Sequence, residues 1–158
     1  APAPAPVAAA APPSAAALSA ELQQIADSIP EDAPRDFIRR IVMIHQANYQ
    51  EQRDAFANFL DQSALIFGKR PLYFRKVHVE VVDANTNPAG VIEKAKSRKA
   101  VAVIAMIDGL PSKTLDAWEK AMGDAKMCFK LIGPGDAAKR SVTTDIIVEA
   151  MLLPSEAS

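Results

Sequence analysis

The sequence predicts a mixed fold of class α+β or α/β, in which an amino-terminal helical hairpin region precedes a small β-α-β-α-β body. Apolar residues recur at helical spacing as far as Phe67, and the period changes to two in the segment Arg75–Val82. The chain has 158 residues, of which 49% are hydrophobic and 23% charged, so it suits one globular domain with an appendage. We divide it into an extended Ala/Pro-rich arm at 1–14, a helical region at 15–67 and a small α/β domain at 72–153.

The arm is predicted from composition, since the first twenty residues contain eleven alanines, five prolines and no charged side chain. Proline removes a backbone donor and fixes φ, which disfavours both helix and strand. Alanine and proline lose little side-chain entropy when immobilised, so an arm lying along a partner surface is one interpretation and a flexible linker is the other. The first residue is Ala, which we interpret as removal of Met or of a targeting segment.

The helical region carries apolar residues at spacings of three and four. A first helix over about 15–28 is predicted by Leu18, Leu22, Ile25 and Ala26. The segment from Arg35 to Phe67 contains no Gly or Pro, and its two apolar stripes are separated by the polar stretch His45–Asp54. We therefore expect two helices in a hairpin, with one long helix as the alternative.

The body is predicted from alternating and fully apolar segments. Valines alternate with polar residues in Arg75–Val82, so we expect a strand with one buried face and with His78 pointing outward. Asn87 and Pro88 are placed to cap and begin a short helix. Ala100–Ile107 is apolar throughout, which is typical of an interior strand covered on both sides.

The last elements complete a small sheet with right-handed crossovers, in two or three layers. We expect a helix from Ser112 with Trp118 and Met122 facing inward, followed by a strand over about 126–132. Residues 142–153 are compatible with a strand or with a closing helix. The order invites comparison with a thioredoxin-like fold, in a redox-inactive form because the chain has no Cys-x-x-Cys pair.

Residue types that carry catalysis or metal binding are scarce. Cys128 is the single cysteine, and with only His45 and His78 the chain lacks the Cys/His spacing of a zinc site. Cys128 lies between Met127 and Phe129, so we expect it to pack in the interior, and we expect His45 near a helix end. We therefore predict no catalytic residue, no cofactor and no metal, and a protein that is not an enzyme.

Charge is divided unevenly along the chain. Residues 67–101 hold eight basic and three acidic side chains, although the whole chain has a formal charge of −1. With Tyr73 and Phe74 interleaved, this segment favours either docking on an acidic protein surface or RNA binding through phosphate pairing and base stacking. The candidate docking or RNA-binding residues are Lys69, Arg70, Arg75, Lys76, Lys94, Lys96, Arg98 and Lys99.

A glycine-containing loop after the third predicted strand is a weak candidate for anion binding, because backbone amides and a basic pair lie close together there. It is a poor phosphate-loop motif, since Ala138 rather than glycine precedes Lys139. An ordinary turn is therefore the main interpretation. The candidate anion-site residues are Gly133, Gly135, Lys139, Arg140 and Ser141.

The sequence thus predicts a non-catalytic accessory or structural subunit of a larger assembly, whose partners are other protein subunits. The longest apolar run has eight residues, so no transmembrane segment is predicted. A processed-looking start and one cysteine favour the mitochondrial matrix and a respiratory-chain or ATP synthase complex; plastid stroma, cytoplasm and bacterial periplasm are alternatives. Two other functions stay open: an RNA-associated, ribosomal-type organellar protein using residues 69–99, and a small phosphate-ligand-binding protein or enzyme using residues 133–141.

Overall fold

The computed structural model describes residues 29–68, 71–136 and 138–157. These residues form four α-helices and one four-stranded parallel sheet, which confirms the mixed α/β class. The Ala/Pro-rich arm and the first predicted helix lie outside the described residues. The thioredoxin-like form of the body stays a prediction.

Strands and helices alternate along the described chain, with short 3₁₀ turns before β1, after β1 and after β4. The elements are β1 (Ile38–Gln46), α1 (Gln50–Ile66), β2 (Tyr73–Val82), α2 (Pro88–Ser97), β3 (Ala102–Met106), α3 (Ser112–Asp124), β4 (Cys128–Ile132) and α4 (Arg140–Met151).

The predicted helical hairpin is wrong in its first half, because β1 is a strand and α1 is a single helix. β1 pairs in parallel with β2 on one side and with β3 on the other. Ile41 packs on one face of the sheet and Val42 on the other, so both faces of β1 are buried. A helix would bury only one stripe of this apolar run, and the centre of a parallel sheet buries all of it.

The strand order is β2-β1-β3-β4, so the chain moves from β1 to one side and then returns across it. α1 and α4 contribute to the core on one face, whereas α2 and α3 contribute to the core on the other. Helices change face where the chain reverses its direction along the sheet, as right-handed crossovers require. The result is a doubly wound three-layer sheet.

A bulge at Val77 changes which side chains of β2 face which helices. Ile41 pairs with Lys76 and the next residue, Val42, pairs with His78, so Val77 has no partner of its own in β1. His78 is buried as a result, which corrects the prediction that it points outward. The alternating pattern of the sequence is therefore interrupted in the middle of the strand.

Several local predictions are confirmed. Asn87 accepts a hydrogen bond from the Ala89 amide at the start of α2, and Pro88 is the first helical residue. The apolar strand is buried throughout as β3, and Trp118 is buried on α3. Residues 142–153, which are compatible with a strand or a helix from sequence alone, belong largely to the helix α4. Within the described ranges, no helix combines the length and apolar character that a membrane span needs.

The sheet has two ends, one where its parallel strands begin and one where they finish. We call these ends the amino edge and the carboxyl edge. The amino edge holds the first residues of the strands together with the last turns of the helices, and the carboxyl edge holds the last residues of the strands. After α4 the chain turns along the amino edge, where the Glu156 amide donates to the Ile38 carbonyl at 2.9 Å.

We expect Ile104→Ala to lower the free energy of unfolding by about 2–5 kcal/mol, because a buried isoleucine leaves a cavity when truncated. Ile104 is 1% exposed in the middle of β3, whereas Ile66, the matched control, is 81% exposed at the end of α1. Ile66→Ala should change stability by less than about 0.5 kcal/mol. Urea unfolding of the two variants makes the comparison, and equal losses would contradict the position of β3.

Candidate functional site

Four residues of the predicted basic segment are engaged inside the molecule. Lys76 forms an ion pair with Asp61 of α1. Lys94 pairs with Glu80 at 3.2 Å, and Arg75 and Arg98 are engaged in the contacts described below. Lys96 and Lys99 are exposed, whereas Lys69 and Arg70 lie outside the described residues. The structure therefore does not present the six basic residues that it describes as one free surface.

Arg98, which follows α2, anchors that helix to β2 through a buried histidine. Its Nη1 donates to the Val77 carbonyl at 2.7 Å and to Nδ1 of His78 at 3.1 Å. Since Nδ1 of His78 accepts, its Nε2–H donates to Glu80 at 2.8 Å. The hydrogen bond from His78 lowers the pKa of Glu80, and Lys94 adds to the effect. These groups connect the bulge in β2 to α2 and explain why His78 is buried.

Glu156 is held by two arginines from adjacent strands. Arg40 and Arg75 lie opposite each other in the register of β1 and β2. Glu156 Oε2 accepts from Arg75 Nε at 2.7 Å and from Arg40 Nε at 3.1 Å, and Oε1 accepts from Arg75 Nη2 at 3.3 Å. The Glu156 side chain is only 8% exposed, and its hydrogen bond from Arg75 lowers its pKa. Charge-assisted hydrogen bonds of this kind are among the stronger ones in proteins.

The segment after α4, residues 152–157, carries this glutamate across the amino edge, and we call it the tail. Leu153 packs against the core under α1 and α4. Arg39 fixes the start of the tail by donating from Nε to the Ala150 carbonyl at 2.8 Å. Arg40 lies on the opposite face, where its Nη1 also donates to the Arg98 carbonyl at 3.1 Å. The tail therefore passes from the α4 face to the α2 face of the sheet.

A cleft of about 340 Å³ lies beside Glu156 at the amino edge, and we call it the basic cleft. Three of its lining side chains are cationic and one is anionic. Arg35 and Lys99 have no ion pair or side-chain hydrogen bond among the described residues, so the cleft carries uncompensated positive charge. The complete lining is Arg35, Arg40, Ser97, Lys99, Val101, Pro154, Ser155 and Glu156.

Large apolar side chains are exposed at the ends of α1 and α4, at the same amino edge as this cleft. The two helix ends lie side by side, because a Cβ placed on Gly68 would be 3.7 Å from Cε of Met151. Leu152, the first residue of the tail, is 83% exposed. We call this set the apolar patch, and its members are Leu65, Ile66, Phe67, Val148, Met151 and Leu152.

The loop after β4 already contains its own anion. The Gly133 amide donates to Asp136 Oδ2 at 3.4 Å, and Lys139 pairs with Asp136 Oδ1 at 2.7 Å. The contact with Lys139 lowers the pKa of Asp136 most, and the hydrogen bond from the Gly133 amide lowers it further. Arg140 and Ser141 are exposed at the start of α4, and Gly135 is exposed as well. The amide and lysine proposed for an external anion therefore contact a carboxylate of the loop itself.

The carboxyl edge between β1 and β3 is the place where doubly wound sheets commonly bind ligands. Here the Gln46 side chain accepts from the Asp108 amide at 2.7 Å and links the ends of the two strands. His45 lies one residue earlier, at a strand end rather than near the helix end that the sequence predicted. Its ring nitrogens have no hydrogen-bond partner among the described residues.

The environment of His45 keeps the imidazole neutral. Burial, with a smaller contribution from the charge of Arg53, lowers the pKa of His45 to about 4. Arg53 is itself buried on α1 and forms an ion pair with Asp54, and burial lowers its pKa. Because acid would protonate this buried imidazole beside Arg53, His45 makes the fold sensitive to low pH.

Cys128 is half-buried at the start of β4 and packs against the core under α1 and α4. Burial and the nearby charge of Glu149 raise the pKa of its thiol, which favours the protonated form. Among the described residues, no three His, Cys, Asp or Glu side chains are grouped in a way that could hold a metal ion.

Sequence reasoning missed Arg40 and Glu156 at the amino edge, and it singled out Arg75 only as a docking or RNA-binding residue. Arg40 and Glu156 are 116 positions apart in the chain, and Arg75 and Glu156 are 81 apart. Only two signals pointed to them: the pair Arg39-Arg40 next to an apolar run, and a single glutamate near the end of the sequence. Neither signal shows that Glu156 pairs with Arg40 and Arg75, because that pairing depends on the register of the sheet.

No protein-family model matches the chain, and no curated protein matches it. The function is therefore inferred from the geometry of the described residues.

We expect acid to destabilise the fold through His45 between about pH 6.5 and pH 4. The unfolded chain binds a proton at His45 near its ordinary pKa of 6.5, whereas the folded protein binds one only near 4. Stability from this group is therefore complete above pH 6.5 and falls as the pH drops, by about 3 kcal/mol at pH 4.

His45→Leu should remove this part of the acid sensitivity, because leucine does not titrate. Urea unfolding of both proteins at pH 7.5, 5.5 and 4.5 measures it, with pH 7.5 as the internal reference. Loss of the same stability by the variant and the wild type over this range would show that His45 is not the responsible group.

Proposed function

We propose that this chain is a non-catalytic subunit of a larger protein assembly and that it binds an acidic neighbouring subunit through its amino edge. The observation that carries the proposal is the apolar patch beside the basic cleft. Large contiguous apolar surfaces on a folded chain commonly mark protein interfaces.

The apolar patch offers the burial that a stable interface needs. Ile66 and Leu152 are more than four-fifths exposed, and Phe67 adds an aromatic ring. Removing such side chains from water stabilises a complex by about 25 cal/mol per Å² of apolar area. A few apolar and aromatic anchors commonly contribute most of the binding energy of an interface.

The basic cleft indicates what kind of surface the partner presents. Leu152 of the patch and Glu156 of the cleft are four residues apart on the tail, a distance of at most about 14 Å along an extended chain. One partner surface can therefore cover both features. Arg35 and Lys99 supply uncompensated positive charge at the cleft, so the complementary surface has an apolar centre and carboxylates at its rim.

The internal contacts weigh against the RNA alternative. Arg75, Lys76, Lys94 and Arg98 donate to groups of this chain, so fewer of the predicted cations remain for phosphates. The carboxylate of Asp136 likewise weighs against the phosphate-ligand alternative at residues 133–141, because it contacts the loop amide and Lys139.

The cellular setting is a separate proposal that depends on the sequence alone. A mitochondrial complex of the respiratory-chain or ATP synthase type is the first expectation, and the arm at 1–14 is an additional contact to a neighbour. The binding surface proposed at the amino edge does not depend on that setting.

We expect Ile66→Ser combined with Leu152→Ser to weaken assembly by about tenfold to a hundredfold, since two exposed anchors are lost from the interface. The experiment purifies the native particle under mild conditions, identifies the subunit that cross-links to the amino edge, and measures binding of full-length variants to it. Leu131→Ser is the matched control, because Leu131 is an exposed leucine on β4, outside the patch.

Three outcomes would contradict the proposal. The first is a native particle with the mass of one free chain, and the second is a homodimer whose interface is the patch. The third is a large fall in melting temperature of the isolated double variant that deletion of residues 15–28 reproduces, because the patch would then be covered by this chain itself.

A further inference from the structure

We infer that the basic cleft recognises carboxylates on a segment of the partner, and that the chain's own tail occupies part of this site as an internal competitor. The inference rests on the proposed function, because it names how the amino edge recognises its partner. Glu156 stands for the partner's carboxylate, and its contacts show how one is bound.

The tail is bound at the amino edge through its backbone and through one side chain. Its backbone contributes the hydrogen bond from the Glu156 amide to the Ile38 carbonyl, at the first residue of β1. Its side chain contributes the three hydrogen bonds to Arg40 and Arg75. A partner segment that offers an amide and a carboxylate in the same arrangement would make the same contacts.

The tail forms one wall of the basic cleft, through Pro154, Ser155 and Glu156, and leaves the space beside it open. Glu156 offers one carboxylate, yet the basic cleft beside it has a volume of about 340 Å³ and presents Arg35 and Lys99 without a described partner. This volume lies at the lower end of the range for ligand sites. A partner segment with two acidic residues would pair one carboxylate with Arg40 and Arg75 and the other with Arg35 and Lys99.

Exchange of one carboxylate for another avoids the main cost of opening a partly buried ion pair. Removing Glu156 alone would take away the one carboxylate that accepts from both Arg40 and Arg75, which is unfavourable for partly buried charges. Replacement by a partner's carboxylate restores the same hydrogen bonds. The tail is therefore displaced by an acidic segment and not by a neutral one, which gives the site its selectivity.

Displacement of Glu156 also connects the cleft with the apolar patch. Leu152 belongs to the patch and lies on the same tail, between the end of α4 and Glu156. Leu153 and the hydrogen bond from Arg39 to the Ala150 carbonyl hold the start of the tail in place. A partner that releases Glu156 frees only the residues beyond that anchor, so the patch stays formed while the cleft opens.

The test uses the full chain and a capped peptide with the sequence of residues 152–157, LLPSEA. Binding is followed by NMR shift changes at the arginine Nε–H groups. Glu156→Gln in the protein should tighten peptide binding about tenfold, because the internal competitor is weakened and the competent fraction rises. Glu119→Gln is the matched control, an exposed glutamate on α3 with the same change of charge, and it should bind like the wild type.

Two further experiments test which groups recognise the carboxylate. The peptide carrying Glu156→Gln should not bind detectably, and added salt should weaken the binding of the acidic peptide. Lys99→Gln in the Glu156→Gln protein should reduce affinity for a peptide with a second glutamate and leave affinity for LLPSEA nearly unchanged. Lys113→Gln, on an exposed lysine at the start of α3, is its matched control.

Equal affinity of the acidic peptide for the wild type and Glu156→Gln would overturn the inference, as would equal binding of the acidic and neutral peptides. Tighter binding of inorganic phosphate than of any glutamate peptide would overturn it too, and would make the cleft a phosphate site. The assay needs no partner subunit, so its failure is distinguishable from failure of the proposed function, which the apolar-patch variants test.

Discussion

Burial of β1 on both faces and along both sides is the constraint on which the rest of the structure depends. The strand pairs with β2 and β3, and its alternate side chains enter the two separate cores. The same alternation directs Arg39 and Arg40 to opposite faces. Arg39 hydrogen-bonds to the end of α4, and Arg40 binds the tail and the residue that follows α2. The first residues of one strand thus organise the amino edge.

The amino edge combines features that the sequence presents far apart. The basic residues of the middle segment are largely satisfied by Asp61, Glu80 and Glu156 and by backbone carbonyls, so they stabilise the fold before they contact any partner. Lys99 of this segment and Arg35 have no ion pair among the described residues, and they line a cleft at the same amino edge as the apolar patch. Internal neutralisation therefore converts a broad basic segment into a localised site.

The carboxyl edge has polar side chains buried close to it. Gln46 links β1 to β3 by accepting from the Asp108 amide, and His45 and Arg53 are buried close to this end of the sheet. His45, whose ring nitrogens have no hydrogen-bond partner among the described residues, makes this end sensitive to protonation. The recognition proposed here uses the opposite edge, where the positive charge remains accessible.

The sequence by itself determined the elements whose signals are local. Alternation identified β2, a fully apolar run identified β3, and the Asn87-Pro88 pair identified the start of α2, because each signal depends on neighbouring residues alone. Only the tertiary structure decided that Ile38–Gln46 is a strand, since a short apolar run suits a helix or a strand until partners exist on both sides. It also decided the bulge at Val77 and the pairing of Glu156 with Arg40 and Arg75, because register and contacts between distant residues arise only when the sheet assembles.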